Sequence, residues 1–158
     1  MSKTSSFFKR GFTAVEILVV VAVLGIIAAI VITPFGGYRA NTLLDSTASQ
    51  ALALLSAART RTLASRGGMR HGVHLEAGAL ILFAGDTYQA GAATNEPYTL
   101  DDAVEVASIT LSGGGSDILF ERLTGKTSKS GSFVVRLKSD TTRLRTISVT
   151  ATGLASVQ

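Results

Sequence analysis

The chain has 158 residues, with 15 basic and 11 acidic side chains, a formal charge of +4 and no cysteine. That length holds one compact domain plus an accessory segment, and the lack of cysteine excludes a disulfide framework, a thiolate metal site and a cysteine nucleophile. The basicity is local: Lys3, Lys9 and Arg10 all precede one long apolar run, and without them twelve bases face eleven acids, about +1, which gives little non-specific attraction to a polyanion.

The first element is that apolar run. From Ile17 to Ile32 every residue is apolar, and back to Phe12 only Thr13 and Glu16 interrupt it. A helix over this stretch is about 30 Å long at 1.5 Å per residue, enough to cross a bilayer core. Lys9 and Arg10 at its start hold that end in the cytoplasm and send everything after Pro34 outward. An ordinary secretory signal fits less well, because its apolar core is shorter and would not contain a carboxylate. Glu16 is the informative residue, since an unpaired carboxylate in hydrocarbon costs about 2.5–3.5 kcal/mol or more. Cleavage between Gly11 and Phe12 would place a new α-amino group one helical turn away, where amine and carboxylate can pair. The helix macrodipole also favours a carboxylate in the first turn.

Basic residues, then Gly11, Phe12, Thr13, two residues, Glu16 and an unbroken apolar helix resemble the class III signal of type IV prepilins. The resemblance implies a leader of residues 1–11, removed by a membrane prepilin peptidase that cuts after Gly11 and N-methylates Phe12. It implies that Glu16 neutralises the amino terminus of a neighbouring subunit during assembly. The expected partners are the lipid bilayer before assembly, an inner-membrane assembly platform, and other pilins or pseudopilins through the N-terminal helix. Residues 12–33 would be the transmembrane and filament-core helix of a single-pass inner-membrane protein. Its head would lie outside the cytoplasm, in a periplasmic pseudopilus or a cell-surface pilus.

Pro34, with Gly36 and Gly37 behind it, predicts a kink or softened turn. Beyond it Leu44, Ala48, Ala51, Leu55, Ala58 and Thr62 recur at helical spacing with polar residues between them, so residues 34–66 read as an amphipathic helix entering the head. Arginines crowd its last turns, and Gly67–Gly68 supplies the stop near Arg66.

Residues 67–158 read as a β-rich head of short segments separated by Gly, Ser, Asn and Asp. Strands are predicted at His71 to Leu75, Leu80 to Phe83, Val104 to Leu111, Ile118 to Glu121, Ser132 to Leu137 and Arg143 to Thr150, with a last one at Leu154 to Val157. Short connections imply antiparallel pairing. The stretch from Gly85 to Asp102 reads as the longest loop, and its acids Asp86, Glu96, Asp101 and Asp102 make it a candidate contact surface. The expected fold is therefore α+β, with a long N-terminal helix continuing into an amphipathic helix packed on an antiparallel sheet. A long helix followed by segments such as ILFERLTGK, SGSFVVRL and TRLRTISVTATGLASV resembles the minor pseudopilins of type II secretion and FimT-like minor pilins.

Catalytic chemistry is not legible, and no enzyme or cofactor is expected. Gly125-Lys126-Thr127 looks like the end of a phosphate loop, but Phe120 stands where the earlier glycine is required. Gly113-Gly114-Gly115 reads as a turn. His71 and His74 point to opposite faces if they lie in a strand, so a metal pair is not expected, and they read as surface or loop residues. Arg136, Lys138, Arg143 and Arg145, with Lys126 and Lys129, form a candidate basic patch that could hold DNA phosphates in an uptake pilus. Few aromatic residues stand near it for base stacking, and edge strands commonly carry such cations, so nucleic acid is the alternative rather than the leading partner. A structural pilin or pseudopilin serving protein secretion or pilus biogenesis is the function that the resemblance implies.

Overall fold

A computed structural model describes residues 12–32, 35–64 and 68–158. The chain divides into two compact units, one ending at Arg39 and one from Ala40 to Gln158. In the first, α1 spans Ala14–Ile32. Every side chain described in it is exposed, including Val15, Leu18, Val21 and Leu24. An α-helix that is apolar on all sides needs an apolar surrounding, and no described residue of this unit supplies one. Among the described residues no helix is long and apolar enough to cross a membrane.

α2 spans Phe35–Leu63. Gly36 and Gly37 carry helical backbone within it, while Pro34, the third residue expected to soften this region, lies outside the described residues. So does Arg66, where the helix was expected to end; the helical backbone stops at Leu63. In the head unit, Leu44, Ala48, Ala51, Leu55, Ala58 and Thr62 are all buried, as the i, i+3, i+4 spacing requires of one face. Thr62 closes this face: its hydroxyl donates to the Ala58 carbonyl at 2.9 Å and accepts the His71 N–H at 2.9 Å, joining the helix to the first strand.

Eight strands follow: β1 (His71–Glu76), β2 (Ala79–Ala84), β3 (Glu96–Thr99), β4 (Val104–Leu111), β5 (Asp117–Leu119), β6 (Gly131–Leu137), β7 (Leu144–Val149) and β8 (Ala155–Val157). All pairings are antiparallel. They form two four-stranded sheets rather than one, ordered β3-β2-β1-β5 and β4-β6-β7-β8. Leu44 and Leu55 of α2, Val73, Leu80 and Leu82 of the first sheet, and Val104, Phe133, Val135 and Ile147 of the second share one core. Burying each large side chain of this kind contributes about 1.5–3 kcal/mol.

Two readings of the head are corrected. The stretch from Gly85 to Asp102 is not one loop, because β3 pairs with β2 from Ala79↔Thr99 to Leu82↔Glu96. Pro97 hides this strand from a sequence reading, since proline has no N–H for a ladder, yet the outer side of an edge strand needs none. The histidines are neither loop nor surface residues. Both lie in β1, with His71 buried on the core side and His74 half-buried on the other.

Candidate assembly surface

The start of α1 is built by Thr13. Its hydroxyl accepts the Glu16 N–H at 3.3 Å, and its carbonyl accepts the N–H groups of Glu16 and Ile17 at 3.1 and 3.2 Å. Thr13 is therefore the N-cap and Glu16 the third helical residue, the Thr-x-x-Glu spacing of a capping box. The sequence carried this signal in plain view, and it adds Thr13 to Phe12 and Glu16 as a residue that shapes the site. Capping sets the first turn one residue after Phe12, which is 77% exposed. Among the described residues, no ion pair or side-chain hydrogen bond occupies the Glu16 carboxylate. The arrangement is an exposed carboxylate at the rim of an exposed apolar rod, able to accept a cation or amine as the rod enters an apolar surrounding. Gly11 lies outside the described residues.

In the head the candidate basic patch is largely neutralised. Arg136 on β6 meets Glu105 on β4 at 2.7 Å, Arg145 on β7 meets Asp45 on α2 at 2.7 Å, and Arg143 meets Asp140 at 3.2 Å. Lys138 is exposed without an ion pair among the described residues. Lys129 donates to the carbonyls of Gly113 and Gly114, at 3.3 and 2.9 Å, bracing the glycine turn. Cations already held by carboxylates neutralise fewer phosphates and so displace fewer of the phosphates' counterions, which weakens the DNA alternative.

Two of the four acids of the Gly85–Asp102 stretch, Asp86 and Glu96, are tied down in the same way. Arg70 holds Asp86 at 2.6 Å, and this hydrogen bond and the positive charge lower the Asp86 pKa. Arg61 grips both oxygens of Glu96, at 2.5 and 2.9 Å, beside a groove of about 310 Å³ whose opposite charges thereby cancel. His74 bonds Asp117 at 2.5 Å and stacks on Tyr88 at 3.9 Å. Burial and the neighbouring Glu76 raise the Tyr88 pKa. These contacts fasten the segment after β2 over the outer face of the first sheet. No group of three metal-ligating side chains occurs among the described residues.

The arrangement is a capped apolar helix preceding a small α+β head with two antiparallel sheets. Both sequence and structure comparisons support the resemblance to the type IV pilin and pseudopilin superfamily. The type IV minor pilin FimU of Pseudomonas aeruginosa superimposes with a TM-score of 0.54 at 15% identity, covering 73% of this chain and 92% of that one, and so shares its fold. Two fimbrial proteins of Pseudomonas aeruginosa are each 40% identical over 55 residues, or 35% of this chain. The chain spans 36% of the length of these curated relatives. No family model matches the chain.

Proposed function

We propose that this chain is a non-enzymatic structural subunit of a type IV pilus, a minor pilin assembled through α1. The observation that carries the reading is a helix whose described side chains are all exposed and apolar apart from one carboxylate in its capped first turn. Such a surface is stable only in lipid or among other apolar helices. The relatives with a fimbrial or minor-pilin identity support pilus over secretion pseudopilus.

In this reading residues 1–11 are the leader, cut after Gly11, and Phe12 is the new, N-methylated terminus. Residues 12–33 hold the chain in the cytoplasmic membrane with the head outside, and the rod then leaves lipid for the filament core. Glu16 drives the order of events. In lipid its charge is costly unless it faces an amine, and the Phe12 amine of an adjacent subunit supplies one. The pairing thus favours the assembled state over the isolated membrane subunit.

The test is Glu16→Ala, expressed in a host with a prepilin peptidase and pilus machinery. Membrane insertion and cleavage should be retained, while incorporation into sheared filaments falls steeply. Normal incorporation of the variant would sink the pairing argument.

A further inference from the structure

The end of the head where α2 finishes carries a surface of its own. Three exposed leucines lie on the segments that end there: Leu63 in the last turn of α2, Leu123 between β5 and β6, and Leu154 between β7 and β8. Two glycines let these segments approach. A Cβ on Gly125 would lie 3.2 Å from the Leu63 methyls and 3.0 Å from Arg59 Nε, and one on Gly153 would lie 1.9 Å from the Gly125 carbonyl. Leu123 is 85% exposed with φ +67°, a left-handed conformation that costs a leucine more than a glycine. The head's own core gains nothing from this side chain.

Cations surround the leucines. Arg59 donates Nε–H to the Gly125 carbonyl at 3.1 Å, and Arg122 and Lys126 are exposed. Among the described residues no carboxylate pairs with any of the three. Glu121, the acid of the same loop, lies within electrostatic reach of Arg70.

The opposite end has the reciprocal character. Strand register separates the two ends: Gly131 of β6 sits beside Leu111 and Val149, whereas Leu137 sits beside Val104 and Arg136 beside Leu144. The turn bearing Leu154 and the β3–β4 connection bearing Asp101 and Asp102 are therefore about 20 Å apart along β6, at roughly 3.3 Å per residue. The helix agrees, with Asp45 meeting Arg145 at one end and Arg59 meeting Gly125 at the other. At this second end Lys138 N–H donates to Ala103 and Leu137 N–H to Arg143. These bonds gather exposed Asp101 and Asp102 near exposed Leu144, with Asp140 already paired to Arg143 and Lys138 as the remaining counter-charge.

We propose that these ends dock head to tail, the leucine and arginine end of one copy against the Asp101, Asp102 and Leu144 end of a second copy. A contact between unlike patches closes into a ring if its rotation closes and otherwise leaves both ends open for further subunits; the open case is the one compatible with the filament reading, on which this inference rests. A polyanion would satisfy the cations but offers nothing to three leucines, and among the described residues of these segments there is no exposed aromatic side chain to stack on bases.

The absence of cysteine makes a clean test. Full-length Leu123→Cys and Asp102→Cys chains are co-expressed in piliated cells and oxidised, with Val21→Cys as a parallel probe of α1. The expected result is a mixed disulfide dimer of the first two, with neither alone giving one. Arg122→Glu with Lys126→Glu should cut the yield about tenfold, as loss of charge pairs at an interface rim does, and Asp101→Lys with Asp102→Lys carried on opposing copies should restore it. Absence of the mixed dimer while Val21→Cys cross-links would overturn the head contact and leave the filament reading intact. Absence of both would remove both. Protection of Leu123→Cys from thiol labelling by duplex DNA, with no mixed dimer, would overturn the contact in favour of a polyanion site.

Discussion

α1 and α2 are both long and nearly free of acids, yet they answer to different surroundings. α2 buries Leu44, Ala48, Ala51, Leu55 and Ala58 against two sheets, with Thr47 and Thr62 on the same buried side, while its charged residues stay at least partly exposed. α1 has no polar face and buries none of its described side chains. A substitution in α2 is therefore read by the stability of the head, whereas one in α1 is read by whatever the helix later packs against.

The largest effect that sharpens this contrast is Leu55→Ala, which opens a cavity in the shared core and should cost about 2–5 kcal/mol of head stability. Leu24→Ala on α1 should stay within about 0.5 kcal/mol. Both are measured as thermal unfolding of the full chain in detergent, and equal losses would break the comparison. Next is Gly153→Ala. Its φ of +80° and a Cβ 1.9 Å from the Gly125 carbonyl make a loss of about 1–3 kcal/mol the expectation from backbone strain alone. An unchanged melting temperature would show that the junction beneath Leu123 and Leu154 can open freely.

Thr13→Ala should remove about 1 kcal/mol from the first turn of α1. Faster amide exchange at Val15 and Glu16 without any change in head unfolding is the expected signature, and slower or unchanged exchange would contradict the cap. The smallest effect is acid sensitivity. Arg70 holds the Asp86 carboxyl below its ordinary value of 3.8, and hydrogen bonds from Thr142, with Arg143 adding, do the same for Asp140. Depressed folded values mean stability that is present above the ordinary value and lost as pH falls through the folded one. Melting temperature should drop slightly below about pH 4, less so in Asp86→Asn and at high salt. A profile identical in Asp86→Asn would remove that pair from the account.

The parts legible in the sequence were those governed by local periodicity. The buried face of α2 follows from helical spacing, and Phe133, Val135 and Leu137 alternate as a half-buried strand must. What escaped depends on distant partners. Arg145 reads as a free cation until Asp45, 100 residues away in sequence, is found beside it. The division into two sheets has the same origin, since β1 takes β5 as a neighbour across three intervening elements. β3 was lost to a proline that an edge position tolerates. The Thr13 cap needed no structure to be seen, only attention to the threonine three residues before Glu16.

The central claim is that α1 is exposed by design, to be processed and packed into a filament. Intact-mass and N-terminal analysis of the chain recovered from piliated cells tests it most directly. A mature chain beginning at N-methylated Phe12 is the predicted result. A chain that retains Met1, or one that begins well after Ile32, would contradict it.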